Sequence, residues 1–266
     1  MKKKNILIII ITVLVIAATA FALIITRKNN SLPSSEIKGN TIRFGVLESV
    51  NPFSYIGDDG TFYGYNCDIA KSIANDLGYE NCEFISVTPN NAYDMLRGGN
   101  VDVLINNICK GDEENVLYTR AYLTSNLVTV RQKDDSVYLD RETLYNMSCA
   151  LQGGSEAEKI YKTFEFINPA TSYLTVYDAL TAVKNGNAQF ALMDDCVAIK
   201  ALKDTDSYGN LQTDIMFEPQ DYVMATRSSD EKLCNSINAV ILKFKQNDYL
   251  KVAAIPYDIQ YYNEDY

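Results

Sequence analysis

The stretch Asn100-Val101-Asp102-Val103-Leu104-Ile105-Asn106-Asn107 has an echo 87 positions on, at Asn187-Ala188-Gln189-Phe190-Ala191-Leu192-Met193-Asp194. Each follows a helix-like run that ends in glycine: Asp94-Met95-Leu96-Arg97-Gly98-Gly99 before the first, and residues 178–186, ending at Gly186, before the second. Glycine just past such a run stops a helix, and a short run rich in Val, Leu, Ile and Phe then reads as a buried strand. Both strands end in polar side chains, Asn106-Asn107 and Asp194-Asp195. Open α/β sheets hold ligands at the ends of such buried parallel strands. Two units of this kind predict two α/β lobes facing one cleft. The plainer alternative is chance recurrence of helix–glycine–strand, a common step in α/β proteins.

Outward from these units the same grammar continues. Thr41 to Leu47 reads as a strand, Asp58-Asp59-Gly60 as a hairpin turn, and Glu83 to Val87 as a strand. Between them a helix opens at Gly64-Tyr65-Asn66, with Asn66 as candidate N-cap and Asp68 in the first turn, where a negative charge suits the dipole. Ile69, Ile73 and Leu77 recur at helical spacing, and Gly78 ends the helix. A charged loop, Cys109-Lys110-Gly111-Asp112-Glu113-Glu114-Asn115, follows the first organising strand. Further strands are expected at 126–131, 147–151 and 222–226, and helices at 140–145, 156–162, 197–202, 230–244 and from Asn247. Residues 203–214 read as a polar loop. The strand at 147–151 runs into Gln152-Gly153-Gly154-Ser155 and then a helix beginning near Glu156. That step offers backbone N–H groups and a hydroxyl at a helix start, an anion site or else a plain capped turn. It lacks the spacing of a phosphate-binding P-loop.

Composition sets limits. The chain has 266 residues and no histidine, which excludes Ser-His and Cys-His catalytic pairs and disfavours zinc. No cofactor is expected. Lys2, Lys3 and Lys4 precede an uncharged apolar run from Ile6 to Ile25, long enough to span a bilayer. Residues 1–28 read as an uncleaved membrane anchor or, through Ala18-Thr19-Ala20 or Ala20-Phe21-Ala22, as a cleaved signal peptide. Residues 29–40 form a polar tether. Residues 27–266 carry 21 basic and 34 acidic side chains, net −13, which argues against a nucleic-acid partner. Six scattered cysteines with no C-x-x-C read mostly as free thiols.

Several ordered motifs resemble the extracytoplasmic solute-binding proteins of amino-acid ABC transporters, whose fold is the two-lobe type II periplasmic-binding fold. They are Pro52-Phe53 after the first strand, Gly64-Tyr65-Asn66-Cys67-Asp68-Ile69-Ala70, Gly99-Asn100-Val101-Asp102, Tyr118-Thr119-Arg120-Ala121-Tyr122, Gly154-Ser155, and Asp194. The resemblance runs from Ile42 to about Ala254. It implies an α/β protein with lobe 1 at 41–121 plus 223–266 and lobe 2 at 122–222, hinged near Ala121–Ser125 and Glu218–Tyr222. It also implies a small-molecule ligand in the cleft and an ABC permease as partner.

One departure bears on the ligand. Members that bind amino acids carry an arginine in the loop after the first organising strand, whose guanidinium grips the ligand's α-carboxylate. Here that position falls on Asp112 or Glu114, depending on the side from which the loop is aligned, and the loop threonine is Cys109. Asp194, which in the family pairs with the α-ammonium, is kept. Three readings stand: a cationic ligand, or one without a gripped carboxylate, favoured by Asp194, Glu156 and the loop acid; Lys110 as a substitute anion ligand beside Ser155; or a degenerate cleft on a sensor or scaffold. The implied binding set is Phe53 and Tyr55 for packing, Asn106, Asn107 and Cys109 for polar contacts, Gly154-Ser155 for an anion and Asp194 for a cation. Core packing is the competing role for both aromatics, and helix capping for Asp194. An enzyme on this fold, using paired acids for proton transfer, is the least supported class.

Overall fold

A computed structural model describes residues 40–133, 140–164, 166–204, 206–217 and 219–262. The apolar run at 6–25 and all but the last residue of the tether lie outside them. Among the described residues no helix is long and apolar enough to cross a membrane.

In chain order, β1 (Thr41–Val46), the small strands β2 (Ser49–Val50), β3 (Ser54–Ile56) and β4 (Phe62–Tyr63), helix α1 (Tyr65–Asp76), β5 (Asn81–Ser86), α2 (Ala92–Arg97), β6 (Val103–Cys109), β7 (Val116–Tyr118) and β8 (Leu123–Ser125) come first. Then follow β9 (Leu127–Gln132), α3 (Arg141–Leu144), β10 (Cys149–Gln152), α4 (Glu156–Thr163), β11 (Thr171–Tyr173), α5 (Val176–Lys184), β12 (Phe190–Asp194), α6 (Asp195–Asp204) and β13 (Leu211–Met216). The chain returns through β14 (Gln220–Arg227), α7 (Glu231–Gln246) and α8 (Tyr249–Ala254).

Two main sheets share one plan. The first runs β5-β1-β6-β14-β7, with β8 also on β14, and the second runs β11-β10-β12-β9-β13. In each, three parallel strands are followed by an antiparallel one: β14 lies against β6, and β9 against β12. The organising strands β6 and β12 thus occupy the same place in the two sheets. The chain crosses between sheets twice, once after β8 and once before β14, and these segments pair with each other, Ser125 opposite Gln220 and Leu123 opposite Tyr222.

The expected faces are buried. Ile69, Ala70, Ile73 and Ala74 of α1 are all at most 2% exposed, and Phe44, Val103, Ile105, Phe190 and Leu192 fill the sheet cores. Such burial stabilises by about 25 cal/mol per Å² of apolar surface. Both helix stops work as expected, with Gly99 and Gly186 in the left-handed region (φ 75° each). The six thiols are free, four of them buried.

Two local expectations are corrected. Asn66 is not the cap of α1, because the helix already includes Tyr65. The N–H groups of Tyr65 and Asn66 donate to the Pro52 and Phe53 carbonyls, which frees the Asn66 side chain for the core. Gly64 is required there: its φ is 116°, and a Cβ would lie 2.4 Å from the Phe53 carbonyl oxygen. The polar loop expected at 203–214 instead ends in the first four residues of β13, which runs on to Met216. Its sequence, LQTDIM, has Leu211 as its one buried side chain, so the strand exists through pairing with β9 rather than through an apolar pattern.

Candidate functional site

The two lobes enclose a cavity of about 260 Å³ at the carboxyl ends of β6 and β12. The side of the first sheet contributes Tyr93, Asn106, Asn107 and Glu113, with Tyr222 from β14, which pairs with β6 although the motif bounds end lobe 2 at that residue, and the side of the second sheet contributes Gln152, Gly154, Ser155, Glu156, Glu158, Lys159, Lys162 and Asp194. A wider groove of about 580 Å³ adjoins it at Tyr93, Glu113 and Lys159.

Asn106 and Asn107 reach the cavity through a bulge. Val223 pairs with Ile108 and Ala225 with Leu104, so three β6 residues oppose one of β14. A bulge of this kind re-aims side chains beside functional sites, and asparagine tolerates the left-handed conformation it needs. Asn107 has φ 57°. Its orientation is fixed by a buried relay: Tyr122 Oη donates to Asn66 Oδ1 (2.9 Å), and Asn66 Nδ2 donates to Asn107 Oδ1 (2.8 Å). Asn107 Nδ2 and Asn106 Oδ1 are left without a hydrogen-bond partner. A buried polar group left so costs about 1–3 kcal/mol, which a ligand can relieve.

Asp194 ends β12, partly buried, and Tyr222 Oη donates to its Oδ1. Burial pushes its carboxyl up to about 7, with Asp195 and Glu156 adding to the rise while the Tyr222 and Ser125 hydroxyls oppose it.

The Gly154-Ser155 step has the expected shape and is already occupied. Gly154 N–H donates to Glu158 Oε2 (2.6 Å), and the Ser172 hydroxyl donates to Glu158 Oε1 (2.9 Å). The Ser155 hydroxyl donates to the Gln152 carbonyl (2.7 Å) and accepts from Glu158 N–H (3.3 Å). Burial raises the Glu158 carboxyl, but these donors and Lys162 outweigh it and hold it below its ordinary value. Glu156 is 8% exposed and pairs with Lys159 Nζ at 2.7 Å.

The other expected residues lie elsewhere. Phe53 is fully buried and meets Tyr222 edge-on at 6.2 Å, so it backs a wall residue rather than forming the wall. Tyr55 sits in the small β2-β3-β4 sheet against Tyr63. Cys109 is partly buried, its thiol pushed well up by burial with Glu156 and Asp194 adding, and it approaches Gln220 Oε1 at 4.0 Å. Lys110 is exposed and lines neither hollow. Asp112 and Glu114 are exposed on the outer groove; the loop acid that reaches the cavity is Glu113, 3.5 Å from Arg97. Among the described residues no arginine lines the cavity. Sequence reasoning passed over Glu158, although Ser155-Glu156-Ala157-Glu158 has the spacing of a helix-capping box. It also missed Lys159, Lys162 and Tyr222, which carried no signal beyond position.

A sheet pair of this design, with its cavity between the lobes, is matched across most of the chain. The profile of the bacterial extracellular solute-binding proteins, family 3, covers residues 42–254. The chain belongs to this family. The ABC transporter arginine-binding protein 1 of Escherichia coli (strain K12) is 23% identical over 219 residues, 80% of this chain and 88% of that protein. An ancestral arginine-binding protein, solved with arginine bound, superposes with a TM-score of 0.75 at 21% identity, covering 83% of this chain and 99% of that one. An ancestral amino acid-binding protein described as a precursor of cyclohexadienyl dehydratase gives 0.73 at 22% identity, covering 82% and 95%. The fold is therefore the two-lobe periplasmic-binding fold, as the motif order implies.

Proposed function

We propose that this protein captures a small polar solute, an amino acid or a related amine, between its two lobes and hands it to an ABC permease without transforming it. The observation that carries this reading is the cavity at the facing ends of β6 and β12. It lies between both lobes, is lined by charged and amide side chains, and holds two buried amide atoms with no partner. Concave sites with a few convergent polar groups are where small ligands bind. The names of the relatives, arginine-binding and amino-acid-binding, support an amino-acid-like solute. The extracytoplasmic location follows the family, and the lysine-flanked run at 6–25 supports attachment to the membrane face.

The missing arginine favours a second reading, a membrane-anchored sensor or scaffold with an altered cleft. Thermal unfolding of the protein against a panel of amino acids, polyamines and short peptides separates the two. Solute capture predicts saturable stabilisation of about 3 kcal/mol at a hundredfold excess over Kd, with the ligand recovered unchanged by mass spectrometry. No shift from the whole panel turns the reading to the scaffold, and a recovered product turns it to an enzyme.

A further inference from the structure

Within the solute-capture reading, on which this inference rests, we propose that Glu158 stands in for a ligand carboxylate, so that the cleft selects amines without an α-carboxylate over the matching amino acids. Several donors at the start of α4 are spent on the chain itself. Gly154 N–H and the Ser172 hydroxyl hold the two Glu158 oxygens at 2.6 and 2.9 Å, Lys162 Nζ lies 3.3 Å from one of them, and the Ser155 hydroxyl is turned to Gln152. A helix start that would receive an anionic ligand is closed by an internal carboxylate.

The cations are spent as well. The cavity is lined by four carboxylates, of Glu113, Glu156, Glu158 and Asp194, and two ammonium groups, of Lys159 and Lys162. Lys159 sits on Glu156 and Lys162 on Glu158. Arg97, on the neighbouring groove, is engaged by Asp94 and Glu113. A ligand carboxylate would thus face several like charges with the Asn107 amide as its main unspent donor. An ammonium finds the opposite: Asp194, which accepts from the neutral Tyr222 hydroxyl, and the unpartnered Asn106 Oδ1. The chemistry that fits is a compact cationic amine or diamine.

Isothermal titration of the full chain with agmatine against arginine, and with cadaverine against lysine, tests this directly. Each pair has the same terminal cation with and without the α-carboxylate. The amine should bind at least tenfold more tightly in both pairs. Glu158→Ala, which empties the anion site, should narrow that ratio at least tenfold by strengthening the amino acid; Glu158→Gln, whose side chain still fills the site and whose amide oxygen can accept from Gly154 N–H, should narrow it less. Equal or tighter binding of the amino acids by the unaltered protein overturns the proposal, as does a ratio unmoved in both variants. If neither member of either pair binds, this inference falls, and the capture reading is then decided by the wider panel.

Discussion

Within the proposed solute capture, Asp194 sets binding and stability against each other. Its folded value, about 7, is above the ordinary carboxylate value near 3.9 because it is buried beside Asp195 and Glu156, with Tyr222 and Ser125 as partial relief. The folded state therefore holds the proton more tightly than the unfolded chain. Stability attributable to this group falls as pH rises from about 4 to about 7 and is level above. Asp194→Asn removes the cost of ionising it. The unliganded variant should melt at a higher temperature than the parent at pH 8 while losing solute binding; a lower melting point with unchanged affinity would refute this role. A bound ammonium holds Asp194 ionised, so amine affinity should climb as pH rises towards 7, by up to about tenfold per pH unit, and then level off. Titrations between pH 5.5 and 8.5 measure this. Asp194 was legible from the strand-end pattern. Glu158 was not, because its effect depends on where its carboxylate turns, and that is set by Ser172 from a different strand.

At the scale of elements, the Gly99-Asn100-Val101-Asp102 turn locks three strands. Asp102 accepts from Arg43 N–H, Nε and Nη2 and from Arg227 Nη2, at 2.9–3.1 Å, tying the start of β6 to β1 and β14. Burial raises its carboxyl, but the two guanidinium groups win and hold it below its ordinary value. Stability from this group is present above about pH 4 and is lost as pH falls through its lowered value. Asp102→Ala leaves two partly buried arginines short of a partner and should cost about 3 kcal/mol in urea denaturation; a loss within about 0.5 kcal/mol, typical of a surface site, would show the ties to be incidental. The turn before α4 has a different constraint. Gly154 has φ 74°, and a Cβ on it would lie 2.5 Å from Pro89 Cβ on the opposite lobe. Gly154→Ala should therefore hinder approach of the lobes, weakening solute binding about tenfold through faster release, as stopped-flow dissociation would register. The glycine was visible in the sequence, whereas its facing partner across the cleft was not.

For the whole molecule, the joining segments matter most. β8 and the start of β14 form a two-stranded ribbon between the lobes, and Asp195 braces it by accepting from Ser125 Oγ (3.1 Å). The chain after α8 spans the same region: Tyr257 Oη donates to Asp68 of α1, Asp258 pairs with Lys203 of α6 at 3.7 Å, and Tyr262 Oη donates to Asp195. Ile259 is buried along that path. Ending the chain at Tyr257 should cost about 2 kcal/mol, chiefly the burial of Ile259, and should speed solute release by loosening one lobe against the other. Urea titration and dissociation kinetics of the shortened protein check both; stability and release equal to the parent's would show the strap to be passive.

The sequence by itself determined the periodic and punctuated parts of this protein: the helix stops at Gly99 and Gly186, the apolar face of α1, the two organising strands and the polar residues at their ends. These follow from local sterics and from burial patterns that repeat within a few residues. Tertiary structure decided what no local pattern records. The Pro52 and Phe53 carbonyls cap α1 and so release Asn66 into the relay that orients Asn107. Glu113 rather than its neighbours reaches the cavity, and Glu158 fills the anion site. Each outcome depends on a group from another element, as Asn107 does on Asn66 and Glu158 on Ser172, and only the packing of those elements brings the groups within hydrogen-bonding distance.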